Sequence, residues 1–235
     1  MLKKIIDKIQ YYWVRRSSSA FVRYLRSCGI KIGEHSIFRF PYTHRIDVTR
    51  PHLIEIGENV DMNSGFKLLT HDWVSRIFRT KFHDFVNSSG KVKIGDNVCF
   101  GVDVIVCKGV EIGDNSFIGA GSVVTRSIPA NSIAVGVPCR VICSIEEFYA
   151  KRKKIALTEA VENVREFIVR FGRDPKPHEL REEFIYYVHS SNVEYYESIG
   201  VPIRFQLREC YDAWLARDEA PFKDFEEFLA YCKKE

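Results

Sequence analysis

Between Ile94 and Pro129 the chain repeats itself every six residues: IGDNVC, FGVDVI, VCKGVE, IGDNSF, IGAGSV, VTRSIP. The lead positions, Ile94, Phe100, Val106, Ile112, Ile118 and Val124, are all large and apolar. The fifth positions, Val98, Val104, Val110, Ser116, Ser122 and Ile128, are mostly small or β-branched. A period of six suits neither an amphipathic helix nor a plain alternating strand over this length. It suits a coil in which each unit makes one flat side, a short strand and a corner, with the lead residue turned inward. Three units complete a turn, and strands of successive turns stack at roughly 4.8 Å. Gly or Asn near each corner is expected to permit backbone angles that a β-carbon resists. Each turn needs its neighbour to bury its core.

The same pattern extends backwards. Ile32-Gly33-Glu34 carries it, residues 38–53 are less regular, and it returns at Ile56, Met62 and Leu68. From Leu69 to Gly90 the phase is lost in a loop of about twenty residues, and a loop of that length inside a compact fold is usually functional or disordered. Its aromatics, Trp73, Phe78, Phe82 and Phe85, argue against disorder, and a loop leaving a corner could reach the next subunit.

The stretch IGDNSFIGAGSVVTRSIPANSIAVGVPCRVI resembles the end of the hexapeptide-repeat acyltransferases, in the branch of the galactoside and maltose O-acetyltransferases and their capsule and lipopolysaccharide relatives. The resemblance covers about residues 30–145 and is densest over 93–142. It implies a mainly β chain built as a left-handed parallel β-helix, a homotrimer, and acetyl-CoA bound in clefts between subunits. Left-handedness comes from the resemblance alone, since crossovers between parallel strands are ordinarily right-handed.

The expected organisation is a basic amphipathic helical cap over 1–28, the β-helix over 29–144 with its protruding loop 70–90, and an α-helical region over 145–235. In the first part Leu2, Ile5, Ile6, Ile9 and Trp13 form one apolar stripe and Phe21, Val22 and Leu25 another, among seven Lys and Arg against Asp7. Such a segment suits a cap over the open end of the coil, and it also suits peripheral contact with an anionic inner-membrane surface. In the last part, helical stretches are expected up to Gly172, over 179–198, over 204–217 and from Pro221. The resembling enzymes usually stop before this region. Packing is its default role, and recognition of an acceptor or partner protein is the sharper one.

Composition removes several classes. A net charge of +4 argues against a dedicated nucleic-acid binder. No run of 18 apolar residues suggests a membrane span. Seven scattered cysteines and no recognisable signal peptide suggest reduced thiols in a cytoplasmic protein. Cys139 and Cys143 lie four apart with no second pair, so buried small residues account for them better than zinc, and no metal is expected. A carbonic-anhydrase-like site needs a third histidine beyond His71 and His83, and none is suitably placed in a later coil.

The chemistry implied by the resemblance is acetyl transfer. His71, in Thr70-His71-Asp72 at the start of the loop, matches the family's catalytic base. Imidazole titrates near neutrality, as deprotonating a sugar hydroxyl requires. Its other ring nitrogen must be held by a carbonyl or a carboxylate. Asp72, Asn63 and Trp73 are assigned to the acceptor. For the donor, the resemblance places a CoA-contacting small residue at Val102, where only the backbone can make the contact, matches Gly119 and Ala120 to the backbone beside the pantetheine arm and Thr125 and Arg126 to a pair near the nucleotide end, where arginine suits phosphate, and leaves Arg140 as a further candidate cation. The sequence departs from the family at Val102, usually Ser or Ala, at Cys99, often Trp, and at Cys143, often basic. The expected function is O-acetylation of a hydroxyl on a sugar or polysaccharide precursor, by direct transfer. N-acetylation of an amino sugar and a non-catalytic trimeric scaffold are the alternatives.

Overall fold

A computed structural model of the chain describes residues 12–234. Residues 1–11, which include Leu2, Ile5, Ile6 and Ile9 of the expected basic helix, lie outside the described residues. The rest divides into two compact units between Tyr149 and Ala150.

The first unit is a coil through three parallel sheets. Strands β1 (Lys31–Ile32), β4 (Ile54–Ile56), β7 (Val92–Ile94) and β10 (Glu111–Ile112) form the first sheet. The second holds β2 (Ile37–Phe38), β5 (Asp61–Met62), β8 (Cys99–Phe100) and β11 (Phe117–Ile118). The third holds β3 (Arg45–Ile46), β6 (Lys67–Leu68), β9 (Ile105–Val106) and β12 (Val123–Val124). Each strand pairs with the one three places on, so three strands make one turn. In the regular part, residues stacked on each other are 18 apart. Across the loop they are 38 apart, and in the first turn 24 and 22. The second sheet ends in β13 (Ser132–Val135), parallel to β11, and β14 (Arg140–Ser144), antiparallel to β13.

The six-residue pattern is a packing pattern. All six lead residues are buried, as are all six fifth positions. Burying one such apolar side chain contributes roughly 1.5–3 kcal/mol. The irregular first turn fits the same scheme. Ser36, His44, Ile54, Val60 and Phe66 lie two residues before Phe38, Ile46, Ile56, Met62 and Leu68, and all five are buried.

The corner angles fall on Asn and Gly as expected. Left-handed backbone is found at Asn59, Asn97, Asn115 and Asn131, with φ of 52° to 57°, and at Gly65, Gly109 and Gly121, with φ of 69° to 75°, whereas the glycines in second place do not adopt it. These asparagines bond each other up the corner, carboxamide to carboxamide, at 3.0, 2.9 and 3.2 Å. Gly101 is needed for close approach instead, because a β-carbon there would lie 2.5 Å from Ala120 N in the next turn.

Before the coil comes a ten-residue helix, Ser18–Ser27. Ser17 caps it by accepting from Ala20 N, the side-chain acceptor that a helix start requires. Residues 12–14 are also helical, and a turn over 15–17 separates them from it. Its Phe21, Val22 and Leu25 join Ile30, Ile32 and Phe38 in the core at the first turn.

After β14 a helix runs from Ile145 to Phe171. The second unit differs from the expected long helices. Residues 179–198 hold 3-10 turns at Pro177–Glu179 and Glu183–Tyr186 and one short helix, Val193–Ser198. Residues 203–215 form two five-residue helices around a 3-10 turn, and Phe225–Lys234 is the last helix. The reason is visible at His189 and Asn192. Asn192 bonds the carbonyls of Tyr187 and Lys223, and His189 bonds Asp218 and the Phe222 carbonyl, so side chains take backbone groups away from a helix. This unit packs around its own aromatic core of Phe184, Tyr187, Tyr196, Phe225 and Phe228.

Candidate active site

Leaving the third sheet, the chain turns a corner at Leu69-Thr70, at Cys107-Lys108 and at Thr125-Arg126. These segments stack, since Leu69 N donates to Val106 O at 2.9 Å and Cys107 N to Val124 O at 3.0 Å. The long loop leaves from the lowest of them, between β6 and β7, and carries the helix Ser75–Phe82. Its base is closed by a bridge between His71 and Ser89 and by Gly90 N donating to Thr70 O at 2.9 Å. His71 therefore sits where rigid coil becomes loop, with its side chain 21% exposed.

Asp47 holds it. Asp47 follows β3, one turn earlier, and its N–H donates to Leu68 O at 3.0 Å, which stacks it against the start of the corner. Its Oδ2 accepts from His71 Nδ1 at 2.6 Å, from the Thr70 hydroxyl, and from Thr70 N at 3.3 Å. Its Oδ1 accepts from the Thr49 hydroxyl at 2.6 Å and Thr49 N at 3.0 Å. Burial pushes the Asp47 carboxyl up, but the bonds from Thr49, Thr70 and His71 outweigh it and hold the group well below the usual carboxylate range. An ionised carboxylate only accepts, so Nδ1 of His71 is the donor. In the neutral ring this leaves Nε2 with its lone pair. The sequence required a holder for that nitrogen without naming Asp47.

Asp72 is occupied differently. It accepts from Lys108 Nζ at 2.6 Å, Ser88 Oγ at 2.7 Å and Val74 N at 3.0 Å, tying the loop to the corner one turn on. Its carboxyl is held down to about 2 by Lys108 first and Ser88 second. Trp73 is 71% exposed, its ring edge-on to His71 with centroids 6.2 Å apart. Thr125 and Arg126 share the His71 corner and are exposed.

The remaining expected residues fall elsewhere. Asn63, Val102, Gly119 and Ala120 occupy the corner after the second sheet, stacked through Asn63 N to Phe100 O, Gly101 N to Ile118 O and Gly121 N to Val102 O. Asn63 Oδ1 accepts from Ser64 N at 2.8 Å. Arg140 lies on β14, opposite Val135, and donates to the Cys139 carbonyl at 2.7 Å. Within one chain, then, the histidine and the small-residue strip lie on two different corners.

A three-sided parallel coil of six-residue units, with a histidine–carboxylate pair where the loop leaves it, defines a hexapeptide-repeat protein. Residues 91–126 match the family described as the hexapeptide repeat of succinyl-transferase. Galactoside O-acetyltransferase of Escherichia coli (strain K12) is 52% identical over a match covering 54% of this chain and 62% of that protein. The protein CapG of Staphylococcus aureus is 39% identical over 54% of this chain and 73% of its own length. Among solved structures, a maltose O-acetyltransferase from Clostridium difficile 630 is 30% identical, with 58% of this chain and 83% of that one covered and a TM-score of 0.41. The chain belongs to the hexapeptide-repeat acyltransferase family.

Proposed function

We propose that the chain is an acetyl-CoA-dependent O-acetyltransferase that acts on a hydroxyl of a sugar or polysaccharide precursor, with His71 as general base. The observation that carries this is the His71–Asp47 contact of 2.6 Å at the mouth of the loop. It matches what deprotonating a weakly acidic hydroxyl needs, a basic ring nitrogen whose tautomer is locked by an ionised partner. The identity to a galactoside O-acetyltransferase supports the reaction class.

The chain's residues fit the donor. Val102 and Ala120 are exposed side by side, and beyond Gly121 a β-carbon would meet nothing within 4 Å, so a strip of backbone lies open to a thin, flexible arm. Arg126 and Arg140 are exposed cations suited to phosphate. Acetyl-CoA would supply the acyl group as an activated thioester. His71 Nε2 takes the proton from the acceptor hydroxyl as its oxygen attacks the thioester carbonyl. A backbone N–H of the small-residue strip stabilises the developing oxyanion. His71 then returns the proton to the departing thiolate, leaving an ester and a free thiol.

The two-corner arrangement favours a site between subunits. The outer face of the first sheet is a charged ladder, with Lys31–Glu55 at 3.2 Å, Lys91–Glu55 at 2.8 Å and Lys93–Glu111 at 2.7 Å. On the outer faces of the second and third sheets the first turns carry the Arg39–Asp61 pair, Arg45 and Lys67, and the later turns carry Phe117, Ile105 and Val123. A left-handed coil assembled as a cyclic trimer through those two faces would bring the His71 corner of one subunit to the Ala120 corner of the next.

Calorimetric titration of acetyl-CoA into wild type and His71→Ala, followed by thiol release with a panel of sugars, tests the reading. Equal donor binding with turnover lost only in the variant is expected. Failure to bind any acyl-CoA would end it and favour a scaffold. Turnover surviving in His71→Ala would discard the site.

A further inference from the structure

The Ser18–Ser27 helix turns its apolar side, Phe21, Val22 and Leu25, into the core. Its opposite side is therefore fixed outward. Ala20, Arg23, Ser27 and the half-buried Tyr24 of the helix, with Trp13 and Arg16 from the segment before it, line one shallow recess of about 310 Å³. Tyr12 and Trp13 are 62% and 63% exposed. The Arg16 guanidinium lies 4.3 Å over the Trp13 ring, and Arg16 and Arg23 are exposed. Arg26 differs, being turned back onto Glu34 at 2.9 Å and the carbonyls of Ile32 and Gly33.

From Lys8 to Gly33 the sequence holds no acidic residue. Before that, Lys3, Lys4 and Lys8 alternate with Leu2, Ile5, Ile6 and Ile9 around the single Asp7. Exposed Trp and Tyr, with cations beside them and aliphatics leading in, is the composition that headgroup regions select: the rings sit at the interface and the cations meet anionic lipid. No helix among the described residues is long and apolar enough to cross a membrane. We infer that this face docks the protein on an anionic lipid surface. The inference does not rest on acetyl transfer, because lipid binding is read without turnover.

Flotation of the full chain tests it, with vesicles of phosphatidylcholine alone and of phosphatidylcholine mixed with phosphatidylglycerol. The chain is expected to float with the mixed vesicles only and to be released by salt. Arg16→Ala with Arg23→Ala should lower the partition about thirtyfold, two charges at roughly 1 kcal/mol each. Trp13→Ala should lower it further. All three side chains are exposed, so an unchanged unfolding midpoint is expected for each variant. Lys151→Ala with Arg170→Ala removes the same charge from exposed sites elsewhere and should leave flotation unchanged. No flotation, equal flotation with neutral vesicles, or equal loss in both pairs of variants overturns the inference.

Discussion

Nδ1 of His71 lies 2.6 Å from Oδ2 of Asp47, a carboxylate that accepts two bonds from Thr70 and two from Thr49 as well. The partners come from successive turns of the coil, so the pair is held by the stacking of β3 on β6 and not by the loop.

Removing either member should disable the same step. His71→Ala and Asp47→Asn are each expected to lower kcat about 10²–10⁴-fold, with donor affinity unchanged, because Asn cannot hold Nδ1–H as an anion does. Steady-state rates and donor titration of the two variants and the double variant check this. The double should be no worse than the worse single, since the two residues act as one unit. Additive losses would mean that Asp47 acts on something other than His71.

The core should respond by lead position. Phe100 is buried and packs on Phe66 with ring centroids 4.8 Å apart, whereas its neighbour Cys99 points outward. Phe100→Ala should cost about 3–5 kcal/mol. Cys99→Ala should stay within about 0.5 kcal/mol in the isolated chain. Denaturant unfolding of both variants measures the contrast.

His44 makes stability depend on pH. It is buried at a fifth position among Phe21, Phe38 and Phe66, with Nε2 on the Arg39 carbonyl at 2.7 Å. Among the described residues its Nδ1 has no hydrogen-bond partner. Burial pushes its pKa down. The unfolded chain therefore binds the proton first, and the stability that neutral His44 contributes is present above the ordinary histidine pKa of about 6.5 and lost as pH falls below it. The unfolding free energy should decline from pH 7 to pH 5, and His44→Leu should flatten that slope. An unchanged slope would assign the decline to other histidines.

Much of this was legible in the sequence because a repeat of fixed period has one way to bury its leads. Ile94 to Ile128 carried strand positions and inward faces, and the loss of phase after Leu68 marked the place where the loop leaves. Asp47 escaped because it lies where stacked residues are 22 to 24 apart instead of 18, so no phase carried forward to it. One local signal was present: Asp47-Val48-Thr49, where the carboxylate accepts from the backbone and hydroxyl two residues on. Phasing backwards from Leu68 through Ile46 would also have marked His44 as a core residue. The breaks in the last unit were not legible, because they depend on His189 and Asn192 reaching carbonyls and a carboxylate some thirty residues away.

The two corners give the sharpest test of assembly. His71 and Ala120 lie on different edges of one chain, after the third and the second sheet respectively. Ala120 is exposed, so Ala120→Trp should block the strip while leaving the core intact. Each of His71→Ala and Ala120→Trp should be inactive alone. If sites form between subunits of a ring, co-refolding equal amounts of the two should restore about a quarter of wild-type activity, because one site in four then pairs an intact histidine corner with an intact strip from its neighbour. A site built within one chain gives no restoration at any mixing ratio. Measuring turnover across mixing ratios separates the two, since the hybrid activity should follow the product of the two fractions.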